Sequence, residues 1–274
     1  MNSFDLNLLK KLYIPAPSSH KGQNGKVLII GGSILFHSGA IWPLEIASKI
    51  VDMVYFSSVD ENNQIVKGKF QNGIVVPRKR IDDYANEADC ILIGCGLPRP
   101  EGLETGDDDT KTLTESLFSK YPDKKWVVDG GSLQVADPEK LPKNAIVTPH
   151  HKEFETLFGV EATPENAVKL AKKFSVIVLL KGPVDIVSDG VRTVQLEGGN
   201  AGMTKGGTGD VLAGLVASFY AKNDVFISAS SASYINKKAG ESLFDRVGLY
   251  YNATDLVNEI PKIMRRYLWV GKDQ

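Results

Sequence analysis

Short, mostly β-branched apolar runs alternate along this chain with segments of helical period, and this alternation limits the fold more than any other feature. The runs are KVLII (26–30), MVYFSS (53–58), GIVV (73–76), CILIG (90–94), WVVD (126–129), AIVT (145–148), VIVLLK (176–181) and DIVSD (185–189). They are near-continuous, the pattern of strands covered on both faces. Helical segments lie between many of them: GAIWPLEIASKIVD (39–52), TKTLTESLFSKY (110–121) and ENAVKLAKKF (165–174). This predicts an α/β fold, a three-layer αβα sandwich around a mostly parallel central sheet. In VDIVSDGVRTVQL the central SDG predicts a hairpin. After residue 209 three helices are expected, in DVLAGLVASFYA, DVFISASSASYINKKAG and TDLVNEIPKIMRRYL. The polar stretch RPEGLETGDDDTK (99–111) reads as an exposed loop rather than a boundary, so residues 1–274 are expected to form a single domain.

Composition excludes several classes. Lys+Arg minus Asp+Glu is 32 − 33 = −1, which gives no reason to expect nucleic acid or a membrane surface as partner. Runs such as SVIVLL are far too short to span a bilayer, and MNSFDLNLLKKLYIPAPSSH lacks a signal-peptide layout. A cytoplasmic location is the expectation. Cys90 and Cys95 have neither metal nor redox-pair spacing and read as buried bystander thiols.

The densest chemistry lies in GGNAGMTKGGTGD (198–210), which carries six glycines and runs into an apolar segment. Val211, Leu212, Leu215, Val216, Phe219 and Tyr220 share one helical face, so residues 206–209 should open a helix. Unpaired amides and the dipole favour an anion there, and glycines let the amides approach it. Thr208 offers a hydroxyl. Lys205 offers a positive charge, or is simply solvated. Asp210 has two readings: dipole complementarity in a first helical turn, worth ~0.3–1 kcal/mol, or a general base beside an anion hole, taking a proton from an attacking hydroxyl. No G-x-x-x-x-G-K-[ST] loop occurs, and GKVLIIGGS (25–33) lacks G-x-G-x-x-G. Its GGS still reads as a ligand-facing turn at a strand end.

The glycine run resembles the nucleotide and anion-hole motif of the NAD(P)H-hydrate dehydratases, within the ribokinase-like superfamily. Further stretches are similar to that family's motifs in order: SSHKGQNGKVLIIGGS (18–33), HSGA (37–40), GCGLP (94–98), VVDGGSL (127–133), TPHHKEF (148–154) and LLKGPVDIVSDG (179–190). The resemblance covers about residues 18–220. It implies repair of damaged nicotinamide cofactor: ADP, with ATP as the alternative, phosphorylates the hydroxyl of hydrated NADH or NADPH, phosphate leaves, and NAD(P)H is restored. It implies Asp210 as catalytic base and Gly207, Thr208 and Gly209 as anion hole. Ala40, Gly96, His150 and Asp210 are implied to contact substrate. Lys181, Gly182, Pro183, Val184, Asp185 and Gly209 are implied to contact nucleotide. His151 is expected to face solvent. Glu153 either braces the anion hole or holds a metal-bound water, and Asn200 orients the loop or a water. Mg²⁺ is implied by the polyphosphate charge.

The chain departs from the family pattern at Asp185, where Thr is frequent and where a carboxylate would repel phosphate unless a cation relieves it. Phe36 and His37 replace a tyrosine-containing pair. Lys181 ends a buried strand, so its ammonium must meet phosphate or reach water. The resemblance also implies a homo-oligomer, a homotetramer, with the Ala/Ser-rich segment 224–240 packed against a neighbour. No epimerase domain precedes the first motif, so a separate chain is expected to supply the correct epimer. Two other functions stay open: a small-molecule alcohol kinase of the same superfamily, of thiazole or pyrimidine type, and a non-catalytic nucleotide-binding protein.

Overall fold

The sheet follows from the β-branched runs almost one for one. In this computed structural model, which describes residues 2–269, the strands are β1 (Asn2–Ser3), β2 (Lys26–Ile30), β3 (Met53–Ser57), β4 (Ile74–Val75), β5 (Cys90–Ile93), β6 (Lys125–Val128), β7 (Ile146–Val147), β8 (Ile177–Leu180), β9 (Asp185–Ser188) and β10 (Thr193–Leu196). They form one sheet in the order β1-β10-β9-β8-β7-β6-β5-β2-β3-β4. All pairings from β8 through β4 are parallel, while β8–β9 and β9–β10 are antiparallel. The expected hairpin is β9–β10, its turn held by the Asp189 carboxylate accepting from the Val191 amide at 2.9 Å.

Each interior strand buries both faces. Val27 and Ile29 of β2 point into one core and Leu28 and Ile30 into the other, as period two requires. The first core packs against α1 (Ile41–Ala47), α8 (Thr208–Lys222), α9 (Val225–Val247) and α10 (Ala253–Leu268). The second packs against α3 (Ile81–Glu87), α4 (Thr110–Lys120), α5 (Gly130–Val135), α6 (His151–Phe158) and α7 (Pro164–Phe174). The result is the three-layer αβα sandwich, with α2 (Asp60–Lys69) beside β4. No described helix is long and apolar enough to cross a membrane.

Two expectations change. The helix after the glycine run is buried nearly all round, Ala213, Gly214, Ala217 and Ser218 included, because it lies between the sheet and three other helices. The small residues of α9, Ser228, Ser230, Ser231 and Ser233 among them, are buried within this chain rather than offered to a neighbour. Loop 99–111 is mostly exposed but tied down: the Asp107 carboxylate accepts from the Ile34 and Glu104 amides at 2.9 and 3.0 Å, and Asp108 meets Arg78 at 2.6 Å.

The strand order places the site. β5 and β3 flank β2, so the chain leaves β2 toward one edge and later returns to its other side. Loops after β2 and β5 diverge there, which opens a crevice at the carboxyl ends of the strands.

Candidate active site

A cleft of about 1250 Å³ lies over those carboxyl ends. It exceeds the ~300–1,000 Å³ usual for one small ligand. Its walls come from the turns after β2 (Phe36, Ser38, Gly39), β5 (Gly96, Leu97, Arg99), β6 (Asp129–Gly131), β7 (His150, Glu153) and β8 (Lys181–Pro183), and from the glycine run 198–210.

The glycine run does what a bare backbone permits. Gly207 caps α8 with φ +93°, and a Cβ there would fall 2.5 Å from the Trp42 ring. Only glycine satisfies both constraints. Residues 207–209 thereby open a 15-residue helix at the cleft wall, where the first turn of a helix carries amides without intrahelical partners. Thr208 is buried, and its hydroxyl turns back toward the Met203 and Lys205 carbonyls at 2.6 and 2.9 Å, while its amide donates to the Lys205 carbonyl at 3.3 Å. Thr208 therefore fixes the loop. Lys205 is exposed, yet its head group is tied to the segment after α9. Its ammonium donates to the carbonyls of Leu249 and of Tyr251, the latter at 2.5 Å. Asn200 holds the loop as well: its carbonyl oxygen accepts from the Gly202 amide and the Tyr251 hydroxyl, and its amide donates to the Gly240 carbonyl.

Asp210 stands half-buried in the first turn of α8, close to the strand ends. A Cβ on Gly39 would lie 3.6 Å from its Oδ1 and 3.0 Å from the Gly96 Cα. Burial raises its pKa to about 7, with the Asp129 charge adding to the rise and Lys181 opposing it. Simple dipole complementarity does not describe a carboxyl in this position.

Its neighbours include residues that sequence reasoning had not singled out. Asp129, 3% exposed, follows β6, and its Oδ1 accepts from Lys181 Nζ at 2.9 Å and Thr148 Oγ1 at 2.7 Å. The ammonium of Lys181 thus meets a protein carboxylate, and it lies 3.9 Å from Glu153 Oε2. Burial would lower the Lys181 pKa, but the Asp129 and Glu153 charges hold it above its ordinary value. Cys95 is buried as expected, yet it is no bystander. Its Sγ lies 3.6 Å from Asp129 Oδ2, and its ligand atom, with those of Asp129 and Asp210, falls within a 4.8 Å cluster. Burial, then the Asp129 and Asp210 charges, push the thiol well up, so it stays protonated. An aspartate directly after a continuous apolar strand was the available signal for Asp129. Cys95 had only its place between two strand-end glycines, where a Cβ on Gly94 would strike the Asp129 carbonyl at 1.8 Å.

His150 caps α6 as one half of a capping box: its Nδ1 accepts from the Glu153 amide at 3.2 Å, and Glu153 Oε2 accepts from the His150 amide at 3.0 Å. Glu153 thereby closes the α6 cap and makes no hydrogen bond to the glycine run among the described residues. His151 is exposed. Of the substrate-side candidates, Gly96 and His150 line the cleft, whereas Ala40 is fully buried behind the lining residues Ser38 and Gly39. Phe36 is at the wall, and His37 is not among the lining residues. On the nucleotide side Lys181, Gly182, Pro183, Asp185 and Gly209 line the cleft, and Val184 does not. Asp185 is turned inward: Oδ1 accepts from the Gly182 amide at 2.9 Å and lies 3.3 Å from Lys237 Nζ, and Oδ2 accepts from Ser233 at 2.7 Å. Lys237 is the relieving cation, on a helix that no motif marked.

The arrangement combines a raised-pKa carboxyl, a bare-amide hole at a helix start, and room for two ligands. Comparison with known proteins agrees. Residues 27–262 match the family described as NAD(P)H-hydrate dehydratase. An "ADP-dependent (S)-NAD(P)H-hydrate dehydratase" of Nitrosopumilus maritimus is 36% identical over 284 residues, spanning 94% of this chain and 96% of that protein. A "Bifunctional NAD(P)H-hydrate repair enzyme Nnr" of Methanocaldococcus jannaschii is 35% identical over 268 residues, and the chain spans only about half of it, 51%. A ribokinase-like superfamily protein of Enterococcus faecalis superimposes with a TM-score of 0.82 at 22% identity, over 97% of this chain and 96% of that one, which establishes the ribokinase-like fold. With residues 27–262 matched to the family and a relative 36% identical over nearly its whole length, the chain belongs to the NAD(P)H-hydrate dehydratases.

Proposed function

We propose that this protein restores NADH and NADPH from their S-hydrates, using ADP to phosphorylate the ring hydroxyl and then expelling phosphate. The observation that carries this reading is Asp210: a half-buried carboxyl of pKa about 7, at the start of α8 beside a helix-end anion hole. Asp210 takes the hydroxyl proton as the oxygen forms its bond to the β-phosphorus of ADP, and the bridging bond to AMP breaks. The amides of Gly207, Thr208 and Gly209 receive the charge on the transferring group. The C–O bond then breaks with its electrons leaving on phosphate. The ring-nitrogen lone pair pushes, and loss of a ring C–H proton restores the double bond.

Gly96 and His150 form the substrate wall with Ala40 behind it, and the 181–185 turn receives the nucleotide. Lys205 and Asn200 hold the glycine run in place. The relatives' names support ADP as the co-substrate. Mg²⁺ would neutralise polyphosphate charge. The Cys95 cluster does not suit it, because a protonated thiol is a poor ligand for a hard cation. Glu153 fits better, as a buried oxygen donor in the cleft wall that would hold the ion through its water shell. Residues 1–274 acting as one domain, in a cytoplasmic homotetramer, complete the reading.

The test is recovery of reduced-nicotinamide absorbance from hydrated NADH with ADP. Asp210→Asn is expected to slow it by about 10²–10⁴-fold. Accumulation of a stable phosphate ester of some other alcohol, with no NADH formed, would assign the chain to the alcohol kinases instead. Unchanged turnover in Asp210→Asn would remove the base.

A further inference from the structure

Arg99, Lys181, Lys205 and Lys237 are the lysines and arginines that line the cleft. Three of them are spent on the protein itself. Lys181 is paired with Asp129. Lys205 donates to the carbonyls of Leu249 and Tyr251. Lys237 donates to the Gly182, Pro183 and Gly198 carbonyls at 3.1–3.3 Å and faces Asp185. Arg99 alone of the four has no side-chain hydrogen bond or ion pair among the described residues. It is exposed, three residues beyond Gly96.

Its place is nonetheless fixed. The Thr110 hydroxyl donates to the Pro98 carbonyl at 2.6 Å on one side. On the other, the Gly102 amide donates to the Arg99 carbonyl at 2.9 Å, and a Cβ on Gly102 would lie 3.1 Å from the Phe36 ring. Gly96 lies against Gly39, and Gly39 against Asp210. Arg99 therefore sits within about three residues of chain, ~10 Å, from the wall beside Asp210, after β5 and so three strands along the sheet from β8 and the 181–185 turn.

We infer that Arg99 binds the pyrophosphate of the dinucleotide substrate and sets the affinity for it. The inference rests on the proposed function. The two co-substrates each bring a polyphosphate. The nucleotide's is received at α8 and the 181–185 turn, and the dinucleotide's needs a cation on another wall. A guanidinium presents planar paired donors to phosphate oxygens and is held here on a pre-shaped loop.

The experiment compares wild type with Arg99→Gln and Arg99→Lys. Arg99→Gln is expected to raise KM for hydrated NADH about tenfold or more, with kcat and the KM for ADP unchanged, and Arg99→Lys to recover part of the loss. For phosphate-free hydrated reduced nicotinamide riboside the variants should match wild type. Calorimetric binding of NADH itself, expected to weaken by a similar factor in Arg99→Gln, reads the contact without turnover. A wild type that binds NADH in an Arg99-dependent way but fails to process its hydrate would refute the function and leave this contact standing. Unchanged NADH affinity in Arg99→Gln, or an equal KM rise for the riboside, would overturn it.

Discussion

Asp210 shows how one side chain can be made both costly and useful. In an unfolded chain an aspartate titrates near 3.9. Here burial lifts the value to about 7, against the pull of Lys181. A base must be deprotonated to act, so kcat/KM is expected to rise with pH to a plateau, with an apparent pKa near 7 in the free enzyme. An acid limb centred near 4 would contradict this. Stability moves the opposite way. Between about pH 4 and 7 the folded protein holds a proton that the unfolded chain has lost, so this group's contribution falls as pH rises. Asp210→Asn escapes that loss. Its melting temperature relative to wild type should be higher at pH 8 than at pH 5, as calorimetry at the two pH values would reveal. That Asp210 belonged to a site was readable from GGTGD before an apolar helix. Its pKa was not, because the carboxylate that raises it and the ammonium that lowers it come from strands 52 residues apart in sequence, and chain order says little about which strand ends become neighbours.

Among the elements, strands were far more legible than helices. β2 runs over the same residues as its apolar run, and most other interior strands differ by a residue or two, because a strand buried on both faces writes its whole length in apolar letters. α2, α3 and α5 are short or carry many polar residues, and their period is weak. The contact between α9 and the β9 hairpin was hidden for another reason. It depends on Lys237, 6% exposed at its side chain, facing the Asp185 carboxylate at 3.3 Å across two distant segments. This pair explains how a carboxylate stands in a cleft-lining turn. Lys237→Met leaves that carboxylate buried without its cation, which is expected to cost about 3–5 kcal/mol. Asp185→Thr combined with Lys237→Met removes both charges and should recover much of the loss in denaturant melts. If the double variant is no more stable than Lys237→Met, the two groups are not energetically coupled.

For the whole molecule, the parallel sheet brings five strand ends, distant in sequence, to one crevice, and the two cores on its faces hold them level. Ligands that bridge several of these turns should therefore stabilise the fold as a unit. Saturating ADP at one hundred times its Kd is expected to add about 2.7 kcal/mol. A thermal melt that ADP leaves unmoved, at a concentration where binding is independently demonstrated, would place the nucleotide elsewhere.

All ten described strands are complete by Leu196, yet the glycine run is moored to what comes later. Lys205 reaches the peptide oxygens of residues 249 and 251, and the ring and hydroxyl of Tyr251 press on Gly202 and Asn200. A polypeptide ending short of residue 249 would possess every rung of the ladder and still lack the anchorage of its glycine-rich turn. Architecture and mooring are thus written in different stretches of the chain, the second only after the last strand.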